Sequence, residues 1–400
     1  MTTASTTDSP TFGPFEESLF PQLYRSLDLA FCLETEAACN RWLDVAGRDS
    51  VRVLTDGAGT LLGNLLAIPM GQYFGGRAAP MLGIAGVAVP PEARGRAIAK
   101  SLMEACLREG RARGFAISTL FAATQKLYRA AGYEQAGFTC ALRLAASRLD
   151  IRERALQVRA LSRDDLPEMK RVWKTMAAPM NGQLDRVPYI WHRVFDRRTD
   201  VATGLGIVGE GGALEGYLWY TQSPGARGER YSVDVSDLAA STPRALRRIL
   251  SLLASMASTV EDITLLCGPH HPLLYVLGEQ RYDLRRRDYW MTRIIDVKNA
   301  LESRGYPVGI KCDLHFDIND PVFAENTGAF TLHIEDGKGH VARGGNGLIQ
   351  LEIKALAPLY TGFMSPHELA LGGSIKGDAS QLALAACAFA GPAPSMNDVY

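Results

Sequence analysis

Apolar positions change their period along this chain, and each change marks an element. From Phe20 to Trp42 the spacing is helical, with Leu23, Leu27, Ala30 and Phe31 on one side. Val51–Leu54, Leu61–Met70 and Met81–Val89 are compact β-favouring runs divided by Asp56-Gly57 and Gly75-Gly76, which predicts three strands. Helical spacing returns at Ile98, Leu102, Met103, Cys106 and Leu107 and stops near Gly110 to Gly114. Phe115–Ala123 predicts a further strand, Gln125–Ala131 a short helix ended by Gly132, and Phe138–Leu144 a closing strand. The order β-β-β-α-β-α-β predicts a mixed α/β layer.

The pattern then starts again. Asp150 to Arg159 is charged and reads as a linker. Ser162 and Asp165 have the spacing of a capped helix start, and Leu166–Met176 is amphipathic. Gly204–Val208 and Leu214–Tyr220 predict a hairpin, followed by a strand at Tyr231–Leu238, a helix at Pro243–Ala257, a strand at Ile263–Cys267, and Tyr289–Val297 closing the unit. In the third region Val297–Arg304 predicts a helix. Gly309–Phe316, Gly328–Ile334 and Gly347–Ile353 predict strands. Ala355–Gly362, Pro366–Leu371 and Ser380–Phe389 predict helices. The division is a mobile polar tail over 1–19, units over 20–150 and 151–297, and a last domain over 298–400.

A length of 400 residues fits several cores rather than one. Lys+Arg and Asp+Glu are equal at 43 each, which gives no support for a nucleic-acid binder or a polybasic membrane protein. No apolar run reaches membrane-spanning length, and the first residues lack the basic and apolar regions of a signal peptide. Seven scattered cysteines without a Cys-x-x-Cys read as free thiols in a reducing cytoplasm. The seven histidines show no metal-ligand spacing, so no metal is expected.

The stretch Gly83 to Lys100 carries the chemistry. A strand ends at Pro90-Pro91, and a helix starts after Arg94-Gly95-Arg96-Ala97. Free N–H groups and partial positive charge at a helix start, small side chains and two guanidiniums form a cradle for a pyrophosphate. The bland alternative is an ordinary strand-to-helix turn. Val235–Pro243 of the second unit has neither the Arg nor the Gly of this loop and reads as a structural copy.

Val87-Ala88-Val89 followed by Arg94-Gly95-Arg96-Ala97-Ile98-Ala99 resembles the acyl-CoA signature of the GNAT N-acetyltransferases, with Ala97 where that family has glycine. Tyr128-x-x-x-Gly132-Tyr133 is similar to a second family motif, whose tyrosine sits beside the CoA sulfur. The resemblance implies acetyl-CoA as cosubstrate, held by Val87, Ala88, Val89, Arg94, Gly95, Arg96, Ala97, Ile98, Ala99 and Lys100, with Ala123 and Thr124 beside it. It also implies Tyr128 as general acid. The whole plan resembles the enhanced-intracellular-survival (Eis) acetyltransferases: tandem GNAT-type mixed-sheet domains, the second degenerate, plus a C-terminal sterol-carrier-protein-like α+β domain. That likeness rests further on Trp290–Val297, on Leu359-Tyr360-x-Gly362 and on a tail ending in an aromatic. It implies a homo-hexamer in which the Tyr400 main-chain carboxylate enters the active site as general base. Phe31, Glu34 and Glu36 are candidates to line the acceptor pocket. The expected activity is acetyl transfer to primary amines of a polycationic small molecule, aminoglycoside-like antibiotics first. The alternatives are an acyltransferase tailoring a specialised metabolite and a non-catalytic scaffold.

Overall fold

The structure, a computed structural model, describes residues 10–33, 35–197, 200–225 and 229–400. The first unit contains β1 (Thr11–Pro14), α1 (Phe20–Phe31), α2 (Glu36–Ala46), β2 (Val51–Thr55), β3 (Leu61–Phe74), β4 (Arg77–Ala88), α3 (Ile98–Ala112), β5 (Ile117–Phe121), α4 (Gln125–Ala130) and β6 (Glu134–Ala145). Leu23, Leu27 and Leu43 of α1 and α2 pack on one face of the sheet, and Leu102, Met103 and Leu107 of α3 on the other.

Two expectations for this region are corrected. The single helix from Phe20 to Trp42 is two helices. Cys32 takes a left-handed φ of 51°, which ends α1, and Thr35 Oγ1 accepts the Ala38 N–H at 3.1 Å, which starts α2. The tail assigned to 1–19 is ordered from Thr11. β1 runs antiparallel to β2 with Phe12 opposite Leu54, and Phe12 packs against the core on the α3 face. One phenylalanine among small and polar residues gave no period from which to predict it.

The second unit contains β7 (Gln157–Leu161), α5 (Leu166–Ala177), β8 (Leu184–Asp185), α6 (Pro188–Phe195), the short pair β9 (Asp196–Arg197) and β10 (Asp200–Val201), β11 (Thr203–Val208), β12 (Leu214–Ser223), β13 (Tyr231–Ala240), α7 (Pro243–Ser255), β14 (Val260–Cys267), α8 (Pro272–Val276) and β15 (Tyr282–Ile294). Ser162 and Asp165 form the expected capping box ahead of α5.

The two units exchange their last strands. β15, expected to close the second unit, lies between β5 and β6, with Trp290 opposite Phe121 and Ile294 opposite Ile117. β6 in turn pairs with β14, Cys140 opposite Cys267. One sheet results, in the order β1-β2-β3-β4-β5-β15-β6-β14-β13-β12-β11-β7, with β8 on β3. The end of β15 is buried on both faces through Trp290, Met291, Thr292 and Arg293. Its apolar content therefore marks a central strand without saying in which sheet.

The third region contains α9 (Val297–Ser303), β16 (Cys312–Asn319), β17 (Gly328–Glu335), β18 (Lys338–Arg343), β19 (Ile349–Glu352), α10 (Ile353–Thr361), α11 (Pro366–Leu371), β20 (Ile375–Gly377) and α12 (Ala379–Ala388), around a sheet ordered β18-β17-β16-β19-β20. β18 and β20 have no counterpart in the sequence prediction. They are edge strands, and β18 buries only Val341. After α12 the chain turns back across both acetyltransferase-like units.

Candidate active site

β4 and β5 run parallel only from Met81–Ile84, opposite Ile117–Leu120, and then part. The parting has a local cause. Gly86, at φ 57°, makes a bulge that shifts the β3–β4 register between Leu66 opposite Ala85 and Asn64 opposite Ala88. A Cβ on Gly86 would stand 2.8 Å from both Leu66 and Trp42. Buried Asn64 holds the bulge: its Nδ2 donates to Gly86 O at 3.1 Å, and its Oδ1 accepts from Ser26 Oγ at 2.7 Å. Sequence reasoning missed Asn64, although an amide inside the apolar run Leu61–Ile68 is itself a signal.

Beyond the parting, Arg94, Gly95, Arg96 and Ala97 form an exposed loop into α3. Among the described residues, the amides of Gly95, Arg96, Ala97, Ile98, Ala99 and Lys100 take no partner within the chain. Arg94 Nε donates to Val89 O at 3.2 Å, and Lys100 Nζ lies 3.7 Å from Glu104. Ala97 adopts the left-handed φ of 58° that the glycine of the motif would take. Loop shape is thus kept at a cost of about 1 kcal/mol of backbone strain. Ala97→Gly is expected to tighten acetyl-CoA binding about two- to fivefold without lowering the melting temperature; calorimetry showing weaker binding would contradict this origin. The matching turn of the second unit is closed. Thr242 Oγ1 accepts the Ala245 N–H at 3.2 Å and donates to Glu215 Oε2 at 2.7 Å, which sets a carboxylate where an anion would have to bind.

Tyr128 lies on α4 and is 6% exposed. Its ring meets Tyr133 edge to face at 6.0 Å, its hydroxyl has no partner among the described residues, and burial raises its pKa above the ordinary phenol value. Tyr133 is fixed by Ser118 Oγ at 2.7 Å, which also contacts Leu82 O. Ala123 and Thr124 are exposed just before α4.

Tyr400 lies on the opposite face. Its hydroxyl donates to Thr119 O at 2.9 Å, and its ring meets Phe121 at 6.0 Å. Tyr128 packs in the core beneath α3, whereas Tyr400 packs against the core beneath α1 and α2. The opening between β4 and β5 therefore separates the two predicted catalytic tyrosines. A cavity of about 880 Å³ on the Tyr400 side is lined by Phe31, Trp42, Gly86 and Tyr189, by charged side chains, and by Asn397–Tyr400, so the chain ends in its wall. Phe31 lines this cavity. Glu36 does not line the cavity; it occupies the first turn of α2, where a carboxylate suits the helix dipole. Glu34 lies outside the described residues. The cavity carries Asp196, Asp234 and Asp398 against Arg193 and Arg287.

His271 is buried and starts α8, its Nδ1 accepting the Leu273 N–H at 3.2 Å. Burial lowers its pKa to about 4. The unfolded chain takes the proton near pH 6.5, so this contribution is complete above that pH and is lost as pH falls toward 4, roughly 3 kcal/mol in all. Urea unfolding of His271→Asn, which keeps a capping side chain, is expected to lose less stability than wild type between pH 7 and pH 4; equal slopes would exclude His271 as the cause. All seven cysteines are free. Among the described residues, no three His, Cys, Asp or Glu side chains converge as a metal ion would require.

A parted parallel pair next to a loop of free amides is the acyl-CoA-binding arrangement of an acyltransferase. Residues 12–136 and 182–294 each match a model of an acetyltransferase (GNAT) domain, and residues 297–397 match a sterol carrier protein domain. A GCN5-related N-acetyltransferase from Anabaena variabilis superposes with a TM-score of 0.92 at 31% identity, covering 98% of this chain and 100% of that one. The chain belongs to the GCN5-related N-acetyltransferases. It shares its three-part fold with Eis1 from Mycobacterium abscessus, at a TM-score of 0.80 and 19% identity over 98% of this chain and 100% of that one. An uncharacterized N-acetyltransferase of Streptomyces avermitilis is 27% identical over 76% of this chain and 77% of its own length.

Proposed function

We propose that this chain transfers the acetyl group of acetyl-CoA to a primary amine of a cationic small molecule, with aminoglycoside-like compounds the first acceptors to test. The observation that carries this reading is the docking of Tyr400 over Thr119, beside the point where β4 and β5 part. The pyrophosphate rests on the free amides before α3, with Arg94, Arg96 and Lys100 around it. The amine enters from the Tyr400 side, where the terminal carboxylate removes its proton. Its nitrogen attacks the thioester carbonyl, and an amide of the parted Val87–Val89 segment holds the oxyanion. The C–S bond breaks as Tyr128 donates to the sulfur. Phenol and thiol pKa values near 10 and 8.5 make full transfer uphill by about 2 kcal/mol, and burial of Tyr128 adds to that. Its proton is thereby always present at working pH.

The chain terminus, with Asp196 and Asp234 in the same wall, favours a cationic acceptor over a neutral one. Arg193 and Arg287 in the same wall favour a second reading, an acceptor that carries an anionic group beside its amine, as in tailoring of a specialised metabolite. Thiol release from acetyl-CoA with aminoglycosides, polyamines and amino acids as acceptors separates the two. Absence of acetyl-CoA heat in calorimetry would reduce the chain to a scaffold. A hexamer in a reducing cytoplasm completes the proposal, and light scattering tests the assembly.

A further inference from the structure

The tail does not reach the cavity by its last side chain alone. Segment 181–186 of the second unit grips it and is itself bound to β3: Gln72 Nε2 donates to Gly182 O, and Tyr73 N to Gln183 O. Ser395 N donates to Asn181 O at 2.9 Å, and Gln183 Nε2 donates to Ser395 O at 2.9 Å and Asn397 Oδ1 at 3.2 Å. At the end of this grip stands Arg186, its side chain buried and its guanidinium carbon 3.3 Å from the Trp173 ring centre and 4.9 Å from that of Trp191. Its Nε and Nη2 donate to Asp398 at 2.9 Å, and its Nη1 and Nη2 to Asp237 at 2.6 and 2.9 Å. Tyr217 OH donates to Asp237 at 2.8 Å.

The location of this cluster gives it a purpose. β13 pairs parallel with β14 only as far as Val235 opposite Leu265, and a bulge at Ser236 follows, as β4 leaves β5 after Ile84. Asp237 is the next residue. In the first unit the parting opens onto the acceptor cavity; in the second, Asp237 just beyond the bulge holds Arg186, and Arg186 holds Asp398. We propose that Arg186 is a positioning residue for the C-terminal carboxylate, and that the second unit keeps its parted strands to hold it. The proposal rests on the base role given above to Tyr400. From Asp398 only Val399 and Tyr400 remain, a reach of about 7 Å, so a fixed Asp398 and a fixed Tyr400 hydroxyl confine the carboxylate between them.

Arg186→Met leaves Asp237 buried without its cation, which threatens folding itself, so the decisive variant is Asp398→Ala, which leaves the Arg186–Asp237 pair intact. Full-length wild type, Asp398→Ala and Arg186→Lys are digested with carboxypeptidase Y, and release of Tyr400 is followed by intact mass. Wild type is expected to resist, with both variants trimmed about tenfold faster or more and the melting temperature of Asp398→Ala close to wild type. Turnover of acetyl-CoA with kanamycin falls in kcat and not in KM for acetyl-CoA, and Asp398→Ala adds no further loss once Tyr400 is deleted. Trimming of Asp398→Ala at the wild-type rate, or rapid trimming of wild type itself, overturns the anchor whatever the kinetics. Faster trimming with undiminished kcat sustains the anchor and refutes the base role.

Discussion

Extending the chain by two glycines beyond Tyr400 lowers kcat about a hundredfold or more, while acetyl-CoA affinity stays within about twofold. Two added residues carry the carboxylate up to about 7 Å away and leave a neutral amide in its place. The Tyr400 ring keeps its contacts with Phe121 and Thr119, so the cavity wall survives. The proposed CoA cradle, at the start of α3 on the other face, is not disturbed. Deleting Tyr400 gives the same loss and also opens the wall. Thiol release at saturating acetyl-CoA, with calorimetry for binding, measures both quantities. Full turnover by the extended enzyme would remove the terminal carboxylate from the mechanism and return the search for a base to the side chains of the cavity.

Tyr128→Phe is expected to lower kcat about a hundredfold with acetyl-CoA affinity nearly unchanged. The substitution removes one oxygen and keeps the ring, so the edge-to-face contact with Tyr133 and the burial of α4 are retained. Because the hydroxyl has no partner among the described residues, none of them is left unsatisfied, and stability is expected to change little. A lower KM for acetyl-CoA with lower kcat would fit loss of a contact made mainly in the transition state. Wild-type turnover would mean that the thiolate leaves unaided and that Tyr128 only packs.

The parts of this site that the sequence revealed are those built from neighbours in the chain. Pro90-Pro91, the small loop and the helix start lie within a few residues, so local rules sufficed to predict an exposed loop opening a helix there. Tyr128 and Gly132 lie four residues apart, within α4 and just beyond its end. Arg186 and Asn64 escaped because what defines each is a partner far along the chain: Asp398 lies 212 residues from Arg186, and Gly86 lies 22 from Asn64. Glu36 misled because an acidic residue at a helix start looks the same whether it serves the dipole or a ligand. The repeat of strand order between the two units was plain. The exchange of β6 and β15 was not, since a strand buried on both sides suits either sheet equally well.

That exchange has a consequence for how the protein is made. While the chain is being synthesised, β5 stands with an open edge until residue 294 has emerged, because the strand that covers it lies more than 160 residues downstream. Closing so long a loop is entropically slow, and an uncovered strand invites pairing with a neighbouring nascent chain. The first catalytic half therefore cannot mature ahead of the half that follows it, and the two reach their working form together.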